Sequence, residues 1–210
     1  MKPDITSMDS ILTEVKILLD TQPGRIILGI VGKPGAGKST VTDHILKNLE
    51  PGIASLVPMD GYHLSNKILH EHNSRDRKGA PDTFDALGYI ALLTRVKENI
   101  DQDIYFPVFH REFEESYGAE GVVRAGTRLV LTEGNYLLLQ DPPWAGVFPM
   151  LTECWYLAPE EKVRLERLII RHLHHGHTQE EADFWTYGSD ERNAQTVART
   201  VSLATRSIKL

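Results

Sequence analysis

The residues with the clearest chemical potential form a glycine-rich stretch from Gly32 to Ser39 that matches G-x-x-x-x-G-K-[ST] at every fixed position. Glycine permits positive φ and a close approach of the backbone, so that successive amides can point at phosphate oxygens. The lysine of this pattern reaches the β- and γ-phosphates of a nucleotide, and the hydroxyl after it binds Mg²⁺. The stretch predicts a nucleotide site made by Gly32, Gly35, Ala36, Gly37, Lys38, Ser39 and Thr40.

Four further expectations concern individual residues of this stretch. We expect Lys38 to be catalytic and Ser39 to be a ligand of Mg²⁺. Gly32, Gly35 and Gly37 should all adopt positive φ. The side chain of Lys38 should be solvated when no nucleotide is bound.

Two acidic residues follow predicted strands. Asp60 comes after an apolar run at 56–59, and Glu133 comes after one at 129–132. Ligands of an open α/β sheet bind beyond the carboxyl ends of its strands, so both acids should lie at the edge that holds the glycine-rich stretch. Asp60 can accept the proton of an attacking hydroxyl or help hold Mg²⁺, and Glu133 can order Mg²⁺ through water. Alternatively, Asp60 begins a turn and Glu133 is a solvated strand end.

Basic residues cluster on a predicted helix and just after it. Arg164, Arg167 and Arg171 are spaced i, i+3 and i+7 and therefore share one helix face. Such cations can close over a transferring phosphoryl group, although a solvated face would look the same. The histidines between 172 and 177 could suggest a metal, but Gly176 and the composition around it favour an exposed, mobile segment.

Hydrophobic periodicity predicts alternating strands and helices. The predicted strands occupy 25–31, 54–60, 104–109, 121–124, 128–132 and 152–158, of which 104–109 and 121–124 look peripheral. The predicted helices occupy 5–20, 37–49, 85–100, 159–173 and 179–203. The polar stretch 61–81 is too long for a simple connection and predicts a functional loop. The alternation predicts one three-layer α/β domain with helices on both faces of a parallel sheet.

Composition narrows the class of protein. A net charge of -6 over 210 residues argues against a nucleic-acid partner. Cys154 is the only cysteine and lies in an apolar run, which predicts a buried core thiol rather than a disulfide or a metal cluster. No segment resembles a signal peptide or a membrane span, so we expect a cytoplasmic protein without a membrane partner.

A phosphate-binding stretch indicates nucleotide binding but leaves the activity open. The N-K-x-D element of GTPases is lacking, since Asn66-Lys67 is followed by Ile68-Leu69, and no signature of a transporter ATPase is found. Acids at strand ends together with a helix of arginines favour transfer of a phosphoryl group to a hydroxyl. The competing interpretation is a regulatory NTPase, which has no need of a base aimed at a hydroxyl.

Four segments resemble the phosphoribulokinase/uridine kinase family of P-loop kinases, which also includes type I pantothenate kinase. They are Val57–Leu64, Arg77–Asp85, Pro107–Arg111 and Leu131–Tyr136. The resemblance runs from Ile26 onward and points to the bacterial group labelled fructose transport system kinases. It implies a five-stranded parallel core, a substrate flap, an arginine-bearing lid, ATP and Mg²⁺.

The same resemblance implies roles for individual residues. Asp60 stands at the position of the catalytic base, and Arg167 and Arg171 resemble the lid arginines. Glu133 is expected to bind metal. The residues expected to face the acceptor are His63, Arg77, Lys78, Arg111 and Glu133.

Two departures bear on the acceptor. Uridine kinases carry an aspartate where this chain has Lys78-Gly-Ala-Pro81, which argues against a nucleoside, and pantothenate kinases are substantially longer. Both remain alternatives. The cations Arg75, Arg77, Lys78 and Arg111 predict a polyhydroxylated or anionic acceptor, with fructose or a related sugar as the first candidate, unless they pair with neighbouring acids.

We expect one P-loop kinase domain over 1–210, with an N-terminal helix within 1–23. Acceptor-side regions should occupy 61–84 and 104–125, and a lid should occupy 160–178. The expected partner is a small-molecule substrate, and a homodimer is left open.

Overall fold

The alternation of strands and helices is seen throughout the computed structural model, which describes residues 4–210. The strands are β1 (Ile26–Val31), β2 (Ala54–Pro58), β3 (Ile104–His110), β4 (Glu115–Val123), β5 (Leu129–Gly134), β6 (Glu153–Leu157) and β7 (Arg206–Ile208). The helices are α1 (Met8–Thr21), α2 (Lys38–Lys47), α3 (Asn66–Glu71), α4 (Ala86–Glu98), α5 (Glu161–His174), α6 (Gln179–Trp185) and α7 (Glu191–Ala198). Within residues 4–210, no helix combines the length and apolar character that a bilayer crossing requires.

Five strands form a parallel sheet in the order β2-β5-β1-β6-β7. Alternate residues of β1 serve opposite faces: Ile26, Leu28 and Ile30 pack with residues of α1 and α2, whereas Ile27 packs with α4. Such two-sided burial explains the unbroken apolar runs of the sequence. Cys154, on β6, is fully buried and free, as expected.

The fifth strand, β7, was not predicted from the hydrophobic pattern. It pairs with β6 from Trp155 to Leu157, and Ile5 forms an isolated parallel bridge to Ile208. Because β7 is three residues long and includes the polar Arg206 and Ser207, its sequence has no apolar run.

The hairpin of β3 and β4 lies outside the parallel sheet and is longer than expected, since β4 begins at Glu115 rather than near 121. It packs closely on the turn Met59–Tyr62, which follows β2. A Cβ at Gly61 would lie 2.1 Å from the carbonyl oxygen of Pro107, so only glycine permits this approach. The hairpin tip is thereby held beside Asp60.

Several predicted boundaries were wrong. The stretch 61–81 is not a loop throughout, since it contains the helix α3. Ser65 caps this helix, and its hydroxyl accepts a hydrogen bond from the amide of Ile68. The helix expected at 179–203 is interrupted by a π-helical turn, Thr186–Asp190, and α7 ends at Ala198. The N-terminal helix begins at Met8 after a capping box at Ser7, and the first three residues of the predicted region 1–23 lie outside the described part of the chain.

Candidate active site

A cavity of about 810 Å³ opens at the carboxyl edge of the sheet. Its walls come from the glycine-rich stretch, the ends of β2 and β5, the hairpin tip, the segment after α3, and the helices α5 to α7. The lining residues include Gly35, Gly37, Lys38, Ser39, Thr40, Asp60, His63, Arg75, Lys78, Arg111, Glu133, Asn135, Arg167, Arg171, Asp190 and Asn193.

The glycine-rich stretch connects β1 to α2, as the motif requires. Gly35 and Gly37 have positive φ, at 79° and 93°. Gly32 is not among the glycines with positive φ, which corrects the expectation for that residue. Glycine is needed at this position because the neighbouring strand is too close for a side chain. A Cβ there would lie 2.9 Å from the carbonyl oxygen of Leu157.

The ammonium group of Lys38 is held by the protein itself. Its Nζ donates to Asn135 Oδ1 at 2.7 Å and to the carbonyl oxygen of Gly32 at 3.0 Å. Burial lowers the pKa of Lys38 to about 8, although Glu133 and Asp60 oppose this shift. The expectation that Lys38 is solvated was therefore wrong, because Asn135, whose role the sequence did not suggest, accepts a hydrogen bond from its ammonium group.

Asp60 lies in a short 3₁₀ turn directly after β2. Its Oδ2 accepts from Nη2 of Arg111 at 2.9 Å. Burial alone would raise the pKa of the Asp60 carboxyl, but His63, Arg111 and Lys38 together outweigh burial and lower it. Asp60 is therefore ionised, with one oxygen paired to the guanidinium of Arg111.

Glu133 occupies the corresponding position at the end of β5 and faces the same cavity. Burial raises its pKa to about 7, while the charge of Lys38 opposes that shift and the charge of Asp60 reinforces it. A bound cation beside Glu133 would favour its ionised form. Ser39 and Glu133 both line the cavity and supply the oxygen ligands that Mg²⁺ prefers.

A metal held by protein side chains alone is not indicated by the described residues. Within 4–210 we find no group of three or more histidine, cysteine, aspartate or glutamate side chains arranged to hold an ion. A magnesium ion held by one or two protein oxygens, phosphate oxygens and water does not require such a group. Ser39 and Glu133 fit that second arrangement.

His63 forms part of the wall between Asp60 and the hairpin. Its Nδ1 lies 2.8 Å from the carbonyl oxygen of Asp60, which fixes the proton on Nδ1 and leaves Nε2 to face other groups. The ring stacks on Phe109 with centroids 4.6 Å apart and also contacts Phe84 at 4.0 Å. Burial lowers the pKa of His63, although the charge of Asp60 opposes this shift, and the two aromatic rings hold the imidazole in place.

The cations expected to face the acceptor have different environments. Lys78 lines the cavity with only 5% of its side chain exposed, donates to Asn66 Oδ1 at 2.9 Å and to the Glu114 carbonyl, and lies over the ring of Phe109. Arg77 points away and forms an ion pair with Asp82, so its expected position in the acceptor site is corrected. The cavity is lined by Arg75 instead, two residues earlier.

The three arginines of α5 share one face, yet only two of them reach the cavity. Arg164 is buried, donating to the carbonyl oxygen of Pro34 at 3.1 Å and forming ion pairs with Glu161 and Glu191. Arg167 donates to the carbonyl oxygen of Ala36 at 3.2 Å, and Arg171 lines the cavity further along. Arg164 therefore attaches α5 to the glycine-rich stretch, while Arg167 and Arg171 face the cavity.

The histidine segment is exposed over residues 173–176, as expected, but its two ends and the helices after it take part in the cavity. His172 and His177 line the cavity, and His172 Nε2 lies 2.8 Å from Asp190 Oδ2, so this segment is partly held in place. Trp185, Ser189, Asp190 and Asn193 line the same wall. Nothing in the hydrophobic pattern marks these four residues, although the dense run of aromatic, polar and glycine residues is unusual for a solvated helix.

Comparison with known proteins gives relatives of nearly full length. A protein of Schizosaccharomyces pombe (strain 972), described as a putative uridine kinase, is 32% identical over 209 residues, which cover 95% of this chain and 88% of that protein. No family model matches the chain.

Solved structures support the same grouping. A structure described as a putative fructose transport system kinase from Silicibacter sp. TM1040 matches with a TM-score of 0.85 and 30% identity, over 97% of this chain and 98% of that one. YFH7 from Saccharomyces cerevisiae, described as a putative P-loop containing kinase with a circular permutation, matches with a TM-score of 0.80 over 97% of each chain, and at 18% identity supports the fold alone. The predicted α/β fold with a five-stranded parallel sheet is confirmed.

Proposed function

The chain belongs to the phosphoribulokinase/uridine kinase family of P-loop kinases, and from that premise we propose that it transfers the γ-phosphoryl group of ATP to a hydroxyl of a small, polyhydroxylated and anionic metabolite. That the protein is an ATP-using small-molecule kinase follows from the family. The acceptor, the metal and the residue roles are the proposal.

One observation carries the proposal: a carboxylate on the acceptor side lies beside the phosphate-binding lysine. Asp60 and Lys38 line one cavity and are near enough for each charge to shift the pKa of the other group. A nucleotide held by the P-loop presents its γ-phosphate near Lys38. A hydroxyl between that phosphate and Asp60 can donate its proton to the carboxylate as the new bond to phosphorus forms.

The pair between Asp60 and Arg111 defines what the acceptor must do on binding. Arg111 pairs with the carboxylate and helps to lower its pKa, which makes Asp60 a weak base. An acceptor whose anionic group binds Arg111 would release Asp60 and raise its basicity. The binding of substrate and the activation of the base are then one event.

Mg²⁺ would be held by the Ser39 hydroxyl, by Glu133 through water, and by the phosphates of the nucleotide. The ion neutralises charge on the transferring phosphoryl group. Glu133 supports this role because burial raises its pKa to about 7 despite the charge of Lys38, so that a further cation beside it would favour the ionised form. The nucleotide itself would bind to the P-loop amides and Thr40, with Arg167 and Arg171 contacting the γ-phosphate.

The acceptor would lie between Asp60 and the segment after α3. His63 offers Nε2, Lys78 lines the cavity while paired with Glu114 at 3.6 Å, and Arg75 faces the cavity without an ion-pair partner among the described residues. The guanidinium of Arg75 would form its strongest hydrogen bonds with a carboxylate or a phosphate. This arrangement favours a sugar acid or sugar phosphate over fructose itself.

The parts of the chain divide accordingly. We assign residues 61–84 and 104–125 to the acceptor side and 160–178 to a lid, within one kinase domain. Because its substrate would be a free metabolite, we also propose that the protein works in the cytoplasm, and a homodimer remains a prediction that sedimentation would test.

The test is ADP release with and without acceptors. We expect ATP consumption to rise at least tenfold with one member of a panel of sugar acids, sugar phosphates, hexoses, nucleosides and pantothenate. Stimulation by a nucleoside alone would contradict the proposed acceptor class. A rate that no acceptor changes would favour a regulatory NTPase.

A further inference from the structure

The π-helical turn between α6 and α7 ends at a carboxylate that the proposed mechanism does not use. Asp190 lines the cavity, and only 15% of its side chain is exposed. A carboxylate with so little solvent is costly unless cations or donors surround it. π turns are rare and are found frequently at functional sites.

The partners of Asp190 are two neighbouring residues in the last turn of α5, Arg171 and His172. His172 Nε2 lies 2.8 Å and Arg171 Nη2 lies 3.7 Å from the same oxygen, Oδ2. His172 is as little exposed as Asp190, and its ring contacts that of His177 edge to face. One carboxylate oxygen therefore joins the end of α5 to the turn between α6 and α7.

Arg171 needs such an anchor because of its surroundings. Burial lowers the pKa of its guanidinium, Arg111 lowers it further, and Asp190 and Asp60 oppose the change. Arg111 and Arg171 are thus two nearby cations, and with no phosphate bound they repel each other. Without Asp190, Arg171 would have little reason to stay in the cavity rather than in solvent.

We propose that Asp190 is a positioning residue that holds the guanidinium of Arg171 toward the transferring phosphoryl group, with His172 as the second anchor. The proposal rests on the proposed function of Arg171 in phosphoryl transfer. Asp190 acts only through Arg171 and does not touch the phosphate. Asn193, on α7, donates to the carbonyl oxygen of Gly79 at 3.3 Å, so the same wall also contacts the acceptor side.

The first test is a double-mutant cycle on kcat with the best acceptor. Asp190→Asn keeps the size of the side chain and removes its charge, and we expect kcat to fall about 10- to 100-fold, as misplacement of a catalytic group by about 1 Å can do. In the Arg171→Ala background the same change should alter kcat less than twofold. Asp190→Glu should recover part of the loss, and Glu180→Gln, on the exposed start of α6, should behave as wild type. Equal effects of Asp190→Asn in both backgrounds would overturn the proposal.

The second test needs no acceptor. We measure binding of ADP with Mg²⁺ and aluminium fluoride, a mimic of the transferring phosphoryl group, and of ADP with Mg²⁺ alone. Asp190→Asn and Arg171→Ala should each weaken the fluoride complex about tenfold or more while ADP affinity changes less than threefold. Equal weakening of both complexes, or of neither, would overturn the positioning role even if no acceptor is ever found. A loss confined to the fluoride complex would support it independently of the acceptor.

Discussion

At the scale of single residues, the site places three ionisable groups where each disturbs the others. Lys38, Asp60 and Glu133 come from α2, the turn after β2 and the end of β5. Burial favours the neutral forms of Lys38 and Glu133, whereas nearby cations keep Asp60 ionised. Perturbed groups that share a cavity are typical of active sites.

Replacing Asp60 tests the role of the base. Asp60→Asn should lower kcat about 10²- to 10⁴-fold, the usual range for loss of a general base, and change the KM for ATP only a few-fold. Steady-state kinetics with the best acceptor measures both. Equal losses in ATP affinity and in rate would instead make Asp60 an organiser of Mg²⁺.

Replacing Glu133 should stabilise the folded protein while removing its proposed role in binding Mg²⁺. Its folded pKa of about 7 exceeds the value of about 4.3 of an unperturbed glutamate. Between these values the folded protein holds a proton that the unfolded chain lacks, so the free energy of unfolding falls as pH rises. At pH 8 the free-energy cost of burying the ionised Glu133 carboxylate is fully present. Glu133→Gln should therefore raise the free energy of unfolding by about 1 kcal/mol, which corresponds to a rise in Tm of about 2–4 °C. The gain should be smaller at pH 5.

The same variant should lose the response to metal. We expect Mg²⁺ with ATP to raise the Tm of the wild type more than that of Glu133→Gln, because the glutamine gives the ion no charge. Thermal unfolding at pH 8, with ATP present and with or without Mg²⁺, measures this difference. If Glu133→Gln without ATP and Mg²⁺ has a lower Tm than the wild type, the carboxylate stabilises the fold and the expected gain in stability is wrong.

At the scale of elements, the segment after α3 shows that two arginines close in sequence can point to different surroundings. Arg75 and Arg77 are two residues apart in a 3₁₀ turn, yet only Arg75 lines the cavity. Arg77 is paired with Asp82 outside it. The sequence predicted a cation in this segment but could not choose between them.

These two arginines provide a matched pair of variants. Arg75→Ala should raise the KM for the best acceptor about tenfold or more, because a charged hydrogen bond to an anion is lost, and leave the KM for ATP unchanged. Arg77→Ala should alter either constant less than twofold. A larger effect of Arg77→Ala would mean that the loop rearranges when substrate binds.

Elements with strong periodicity were predictable, and those held by tertiary contacts were not. The runs of β1, β5 and β6 are apolar because both faces of the sheet are covered. Strand β7 has no such run, since its edge position and the bridge from Ile5 define it. The wall around Asp190 likewise depends on where α7 packs, which local sequence does not encode.

At the scale of the whole molecule, the sheet brings distant residues to one edge. The P-loop and the acids of β2 and β5 were predictable because parallel strands end together and their carboxyl ends bind ligands. The helices α5 to α7 also line the cavity, and their residues come from the final third of the chain. Their contacts with the acceptor side could not be inferred from spacing.

The central claim, that Asp60 and Lys38 serve transfer of a phosphoryl group to a metabolite, is tested by following the label. Wild-type protein, Lys38→Ala and Asp60→Asn are each incubated with ATP labelled in the γ-phosphate and a deproteinised metabolite extract, and products are identified by mass spectrometry. We predict one labelled, anionic phosphate ester with the wild type and none above background with either variant, although Asp60→Asn still binds ATP. Label that appears only in inorganic phosphate, at equal rates with wild type and Asp60→Asn, would contradict the account.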